Sequence, residues 1–226
     1  MKQKAWLGLV VTAFVLSAGI PLFAQEQARP DALRSYRIGR DLEARNRIAE
    51  ANASYQEAIA ICQQDLAANA RNMDAYTIYC WSLVRLNRHQ EAVNIGTRAL
   101  AVRNDPRIVE SMGEAYFYLD NYRDSLRNME SYTDTAPRGE RVSTAYFFMA
   151  EIYRLTRRYN LAEFAYTAAV FYEPALPLWW YRLGTVREEI GDHSGAVDAY
   201  NRALRLRPDY PEASDGLRRA RSRAQA

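Results

Sequence analysis

From residue 32 onward, apolar side chains return at helical spacing, in stretches divided by short polar breaks. Some breaks carry polar or turn-forming residues: Asn46-Arg47, Asn87-Arg88, Asp120-Asn121, Arg157-Arg158 and Gly191-Asp192. Between them fall Pro106, Pro137, Pro174 and Pro208, and a proline marks a place where a helix must stop, because its ring removes a donor and blocks the preceding turn. The pattern predicts amphipathic helices joined in pairs. No alternating apolar–polar run long enough for a useful strand occurs.

Small and large residues also recur in a fixed order. Leu183-Gly184, Ala196, Tyr200, Ala203 and Pro208 stand 34 positions after Met149-Ala150, Ala162, Tyr166, Ala169 and Pro174, and Trp180 occupies the aromatic slot near the start of the later unit. The register extends backwards through Met112-Gly113, Tyr116, Tyr122, Ser125, Met129 and Pro137. It continues through Tyr76, Cys80, Leu83, Ala92 and Ala99, with Asn104 in place of proline, to Ile38-Gly39, Leu42, Ala51, Tyr55 and Ala58. After the last unit another first helix begins, with Leu217 in its leucine slot. This order resembles the tetratricopeptide repeat, whose signature runs W-x2-L-G, then A-x3-F/Y, then A, then P.

The resemblance covers residues 32–226. It implies an all-α fold, a right-handed superhelical α-solenoid of about five helix pairs at 32–65, 73–105, 106–139, 143–176 and 177–210, closed by a capping helix at 211–226. Small residues are expected where the two helices of a repeat cross closely: Gly184 opposite Ala196 and Ala203, and Ala150 opposite Ala162 and Ala169. A single repeat cannot bury its apolar face, so stacking is obligatory. Three departures stand out. Residues 66–72 are extra, and their composition predicts about two added turns on the second helix of the first repeat. Tyr132 replaces a small residue late in the third repeat, and Glu140-Arg141-Val142 adds three residues after it, so the stack is expected to bend or loosen there.

The first 24 residues differ from all of this. Met1 to Lys4 is short and basic, Ala5 to Ala24 is uncharged and mostly apolar, and polar Gln25-Glu26-Gln27 follows. That is the layout of a secretory signal peptide cleaved after Ala24, with 25–31 a linker. An uncleaved anchor is the alternative, since about twenty apolar residues can span a bilayer. The expected location is therefore exported, periplasmic or secreted, with anchoring second. The formal charge of +3 nearly vanishes once Lys2 and Lys4 are set aside, leaving 28 arginines against 27 acidic residues. A near-neutral body has no field to steer nucleic acid.

Little in the chain suggests chemistry. His89 and His193 share the repeat slot that Tyr122 and Tyr159 fill elsewhere, and no ligand spacing accompanies them. No zinc-protease helix, serine elbow, phosphate loop or C-x-x-C occurs. Glu188 and Glu189 are adjacent on a helix, point apart, and read as a solvated face. Cys62 and Cys80 permit a disulfide in an oxidising compartment, while the small-residue slot of Cys80 favours a packed thiol. Arg218, Arg219, Arg221 and Arg223 suit the C-terminal end of a helix dipole, or weak docking to an anionic lipid or acidic partner. No enzyme activity, cofactor or metal is expected.

In the resembled family, the first helix of each repeat lines a concave groove. Carried over, that implies a lining of Tyr36, Arg40, Thr77, Trp81, Arg85, Glu110, Glu114, Phe117, Phe147, Glu151, Arg154 and Tyr181. Rings mixed with both signs of charge suit a peptide or helix of a protein partner, with Trp81, Phe117 and Phe147 as a ladder of anchors. The expected function is a non-catalytic scaffold or adaptor of the cell envelope. The alternatives are a ligand-binding accessory of a transport system and an accessory subunit of an envelope enzyme.

Overall fold

The computed structural model describes residues 31–225, so the stretch read as an export signal lies outside the described residues. The described residues form eleven helices and no strand: α1 (Ala32–Ala44), α2 (Ile48–Ala68), α3 (Met73–Arg85), α4 (His89–Val102), α5 (Pro106–Tyr118), α6 (Tyr122–Thr135), α7 (Val142–Leu155), α8 (Tyr159–Tyr172), α9 (Pro177–Glu189), α10 (His193–Leu206) and α11 (Pro211–Ala224). Successive helices pack as antiparallel neighbours. First helices also touch across repeats, α1 on α3, α3 on α5, α5 on α7 and α9 on α11, whereas second helices make no comparable contacts. First helices therefore form the inner wall of the solenoid and second helices its outer layer.

The turns inside the repeats share one solution. Asn46, Asn87, Asp120, Arg157 and Gly191 all take positive φ, between 57° and 82°, just past the end of each first helix. The chain reverses there into the left-handed region, and the next amide reaches back to close the helix: Arg47 N to Leu42 O, Arg88 N to Leu83 O, Asn121 N to Tyr116 O and Arg158 N to Tyr153 O, at 2.7–3.0 Å. Between repeats the stops are N-caps. Asp31, Asn72 and Asp105 accept from amides of the first turns of α1, α3 and α5, while Pro106, Pro177 and Pro211 open α5, α9 and α11, where no backbone donor is needed.

The second helix of the first repeat has 21 residues against 14 in α4, so the surplus in 66–72 becomes added helical turns. At the third repeat, the junction is packed around Tyr132. Tyr132 is buried with Val109, Met129, Val142, Ala145 and Phe148, and its hydroxyl accepts the amide of Arg141 at 3.2 Å. The large ring occupies the space opened by the inserted residues and pins the start of α7.

The close crossings also differ from expectation. Ala196 and Ala203 are fully buried, yet the group facing Gly184 is the ring of Tyr200. A Cβ on Gly184 would lie 2.7 Å from that ring, and one on Gly39 would lie 2.5 Å from the ring of Tyr55. The glycine accommodates an aromatic ring, not a helix backbone. Cys62 and Cys80 are buried free thiols, and burial pushes both up to about 12, which leaves them unreactive small hydrophobes.

Candidate functional site

The inner wall holds a ladder of charge that joins one repeat to the next. In three repeats a carboxylate of the first helix accepts the hydroxyl of a tyrosine from the second helix of the same repeat. Tyr55 donates to Glu43 at 2.6 Å, Tyr200 to Glu188 at 2.5 Å, and Tyr166 to Glu151. An arginine from the following first helix meets the same carboxylate: Arg85 on Glu43, Arg182 on Glu151 at 3.3 Å, and Arg219 on Glu188 at 2.9 Å. In the third repeat Met129 stands in the tyrosine slot, and Arg141 bridges Glu110 at 2.7 Å and Glu114 at 2.5 Å.

Electrostatics follow from these partners. Burial would raise the Glu43 carboxyl, but hydrogen bonds from Arg85 and Tyr55 outweigh it and hold the group below its usual range. Glu110 is fully enclosed, and this burial pushes its carboxyl upward. Arg141 opposes the rise and Glu114 adds to it.

Much of the expected lining is thus engaged. Thr77, Glu110, Glu114 and Glu151 are buried, and Thr77 donates to the Met73 carbonyl at 2.8 Å. Arg85 and Arg154 are half-buried and carboxylate-bound, Arg154 to Glu151 at 2.6 Å. Arg40 is exposed, and its guanidinium donates to the Tyr36 hydroxyl at 3.4 Å.

The rings divide into separate groups. Tyr36 is buried against Tyr55 and Trp81, at 5.7 and 5.5 Å between centroids. Phe117 meets Phe148 at 5.0 Å, Phe148 meets Phe147 at 5.9 Å, and Phe147 stacks on Trp179 at 4.9 Å. Phe117 and Phe147 therefore belong to one chain of rings, linked through a buried Phe148, while Trp81 packs with Tyr36. Tyr181 lies between Tyr200 and Tyr210, at 6.0 and 5.2 Å.

One pocket, of about 220 Å³, opens where the C-terminal ends of α1, α3 and α5 converge. Its polar lining includes Glu43, Asn52, Arg85, Asn87 and Glu114, and its rim carries Tyr118, which is 49 % exposed. His89 stacks on the far side of that pocket's ring, Tyr118, at 4.7 Å and is half-buried, as is His193. The first turns of α2 also line it, with Ile48, Ala51 and Asn52, and both carboxylates are already paired, Glu43 with Arg85 and Glu114 with Arg141, so the field of the three helix C-termini is largely offset.

Sequence reasoning missed the connecting roles of Arg141, Arg182 and Glu188. Glu188 belongs to the ladder and not to a solvated face, whereas Glu189 is exposed. The only signal for Arg141 is that an arginine occupies an insertion. At the cap, Arg219 joins the ladder and Arg218 pairs with Asp215 at 2.8 Å. Among the described residues, no group of three histidine, cysteine or acidic side chains could hold a metal, and no helix is long and apolar enough to cross a membrane.

Comparison with known proteins agrees with this architecture. Residues 156–211 match the model of the tetratricopeptide repeat. MamA from Desulfovibrio magneticus RS-1, from residue 41 to its end, is 20% identical with a TM-score of 0.59, over 79% of this chain and 97% of that one. YrrB, described as a TPR protein with an unusual peptide-binding site, is 16% identical with a TM-score of 0.55, over 85% and 95%. A thermophilic TPR protein of Thermus thermophilus is 18% identical with a TM-score of 0.58, over 87% and 100%. Among curated proteins none matches the sequence. At these identities the likeness is one of fold.

Proposed function

Starting from a tetratricopeptide-repeat protein folded as an all-helical solenoid, we propose that it is a non-catalytic scaffold of the cell envelope that holds a peptide or helix of a partner protein along its inner wall. The observation that carries this reading is the contrast between the pinned and the free parts of that wall. The Glu–Arg ladder fixes the spacing of the first helices, so the wall is preformed and little ordering cost remains on binding. What it leaves available is Tyr118, the half-buried Phe117, the exposed Arg40 and the polar pocket beside Tyr118.

The rings supply apolar anchors, and the pocket offers polar groups of both signs to a side chain of the partner. The envelope assignment rests on the basic, then apolar, then small-residue order of the first 24 residues. A pocket of about 220 Å³ with a polar lining is small for a drug-sized ligand, which favours a protein partner over a transported solute.

Affinity capture from the native envelope tests the proposal. A partner recovered with the wild type is expected to be lost, by about ten-fold or more, with the Phe117→Ala and Tyr118→Ala double variant, provided circular dichroism shows it folded. Undiminished capture by a folded double variant would move the binding site off the inner wall.

A further inference from the structure

The second helices present their outer faces to solvent, and four of the five do so with polar or small residues. The outward positions of α4 are Glu91, Asn94, Arg98 and Ala101. Those of α6 are Asp124, Arg127, Ser131 and Asp134, and those of α10 are Gly195, Asp198, Arg202 and Arg205. In α2 they are Glu50, Ala53, Glu57 and Ala60. The equivalent positions of α8 are Leu161, Phe164, Ala168 and Phe171. Phe164 is 70 % exposed and Phe171 78 %, the most exposed large apolar side chains among the described residues. Leu161 and Tyr172 are exposed beside them, Tyr172 stacked on Tyr146 with centroids 5.9 Å apart. The opposite face of α8, with Ala162, Ala165, Tyr166, Ala169 and Val170, is already buried, so nothing in the fold of one chain requires these rings.

We propose that this outer face of α8 packs antiparallel against α8 of a second copy of the chain, forming a two-fold symmetric dimer. Two features of the stripe are self-complementary. The first is shape. Its residues are spaced by three, four and three, the interval that keeps apolar side chains on one seam of paired helices. A two-fold axis near residue 166 sets Leu161 against the partner's Phe171 and Phe164 against the partner's Ala168, each ring over a smaller side chain.

The second is charge. Arg157 and Arg158 stand at the start of the stripe and Glu173 at its end, and none of the three is in an ion pair among the described residues. Arg158 lies over the Tyr153 ring at 4.8 Å. Antiparallel order brings both arginines beside the partner's Glu173, and the reverse at the other end. A parallel arrangement would set arginines against arginines. The seam is isologous, so it closes at two copies and leaves the inner walls free for other partners.

The test is the mass of the native full chain in solution across a concentration series, by light scattering on a sizing column. The wild type is expected at the dimer mass, and the Phe164→Glu, Phe171→Glu double variant at the monomer mass with unchanged circular dichroism. Glu173→Arg should weaken the dimer by about ten-fold. Adding Arg157→Glu and Arg158→Glu to Glu173→Arg should restore it, which a merely apolar contact would not do. A wild type that stays monomeric at about 100 µM overturns the proposal. So does a dimer unchanged by the double variant, or a monomer that instead floats with anionic lipid vesicles through these rings.

Discussion

Gly184 faces Tyr200 so closely that a Cβ at residue 184 would lie 2.7 Å from the ring, and Gly216 approaches the other side of the same ring, where a Cβ would lie 2.5 Å away. One buried tyrosine is thus held between two glycines of successive first helices, with its hydroxyl on Glu188. Gly184→Leu is therefore expected to destabilise the C-terminal repeats by roughly 1–3 kcal/mol or more, and Ala162→Leu, at a fully buried site, by a similar amount. Glu189→Leu, on an exposed residue, should change stability by less than about 0.5 kcal/mol. Chemical denaturation of the three variants checks the ranking. A Glu189→Leu variant that proved the most damaging would contradict the packing described.

Arg157 adopts φ of 59° at a turn where the corresponding residue of the fifth repeat is Gly191, at 82°. A Cβ in the left-handed region costs roughly 1–2 kcal/mol, and glycine avoids it while losing some chain entropy on folding. Arg157→Gly should therefore stabilise by up to about 1 kcal/mol, and Gly191→Ala should destabilise by about the same. Melting temperatures that moved in the opposite directions would refute the reading of these turns.

Glu110 is enclosed with Glu114, Arg141 and Tyr132, and burial raises its carboxyl above the ordinary 4.5. A raised value means the folded chain binds the proton more tightly than the unfolded chain. The contribution of this group is then fully present below the unfolded value and declines as pH rises through the folded value. Relative to Glu110→Gln, the wild type should lose stability on going from acid to neutral pH, while the variant lacks this component. Parallel thermal melts across that range measure the difference, and a constant gap between the two proteins would exclude the linkage.

The mature protein is expected to begin near Gln25, because the basic, apolar and small-residue order of the preceding stretch is that of a cleaved leader. N-terminal sequencing of the native protein checks it. Recovery of an intact Met1 start in the membrane fraction would identify an anchor instead.

The groove residues show how far sequence reasoning reaches. The first-helix register sends Glu114, Phe117 and Glu151 to the inner wall, yet cannot say which of them are already used. Arg85 finds Glu43 across 42 positions, Arg219 finds Glu188 across 31, and Arg141 reaches Glu114 across 27. Only the last two rungs agree, Arg182 with Glu151 standing 31 positions apart like Arg219 with Glu188, so no single repeat rule connects all the partners. Phe147 similarly stands in a lining slot, but its face is taken by Trp179.

By itself the sequence determined the eleven helices, their pairing and the places where the chain turns. Those features are local: a 34-residue period, an apolar stripe, and an asparagine, aspartate, arginine or glycine where the backbone must enter the left-handed region. Only the tertiary structure decided that Gly184 serves Tyr200, that Tyr132 fills the inserted junction, and that Glu43, Glu110, Glu151 and Glu188 are each tied to an arginine of the next repeat, the cap or the linker between repeats. The physical reason is that packing and ion pairing depend on the offset between stacked helices. That offset is set by all the side chains between them at once, and no single helix encodes it.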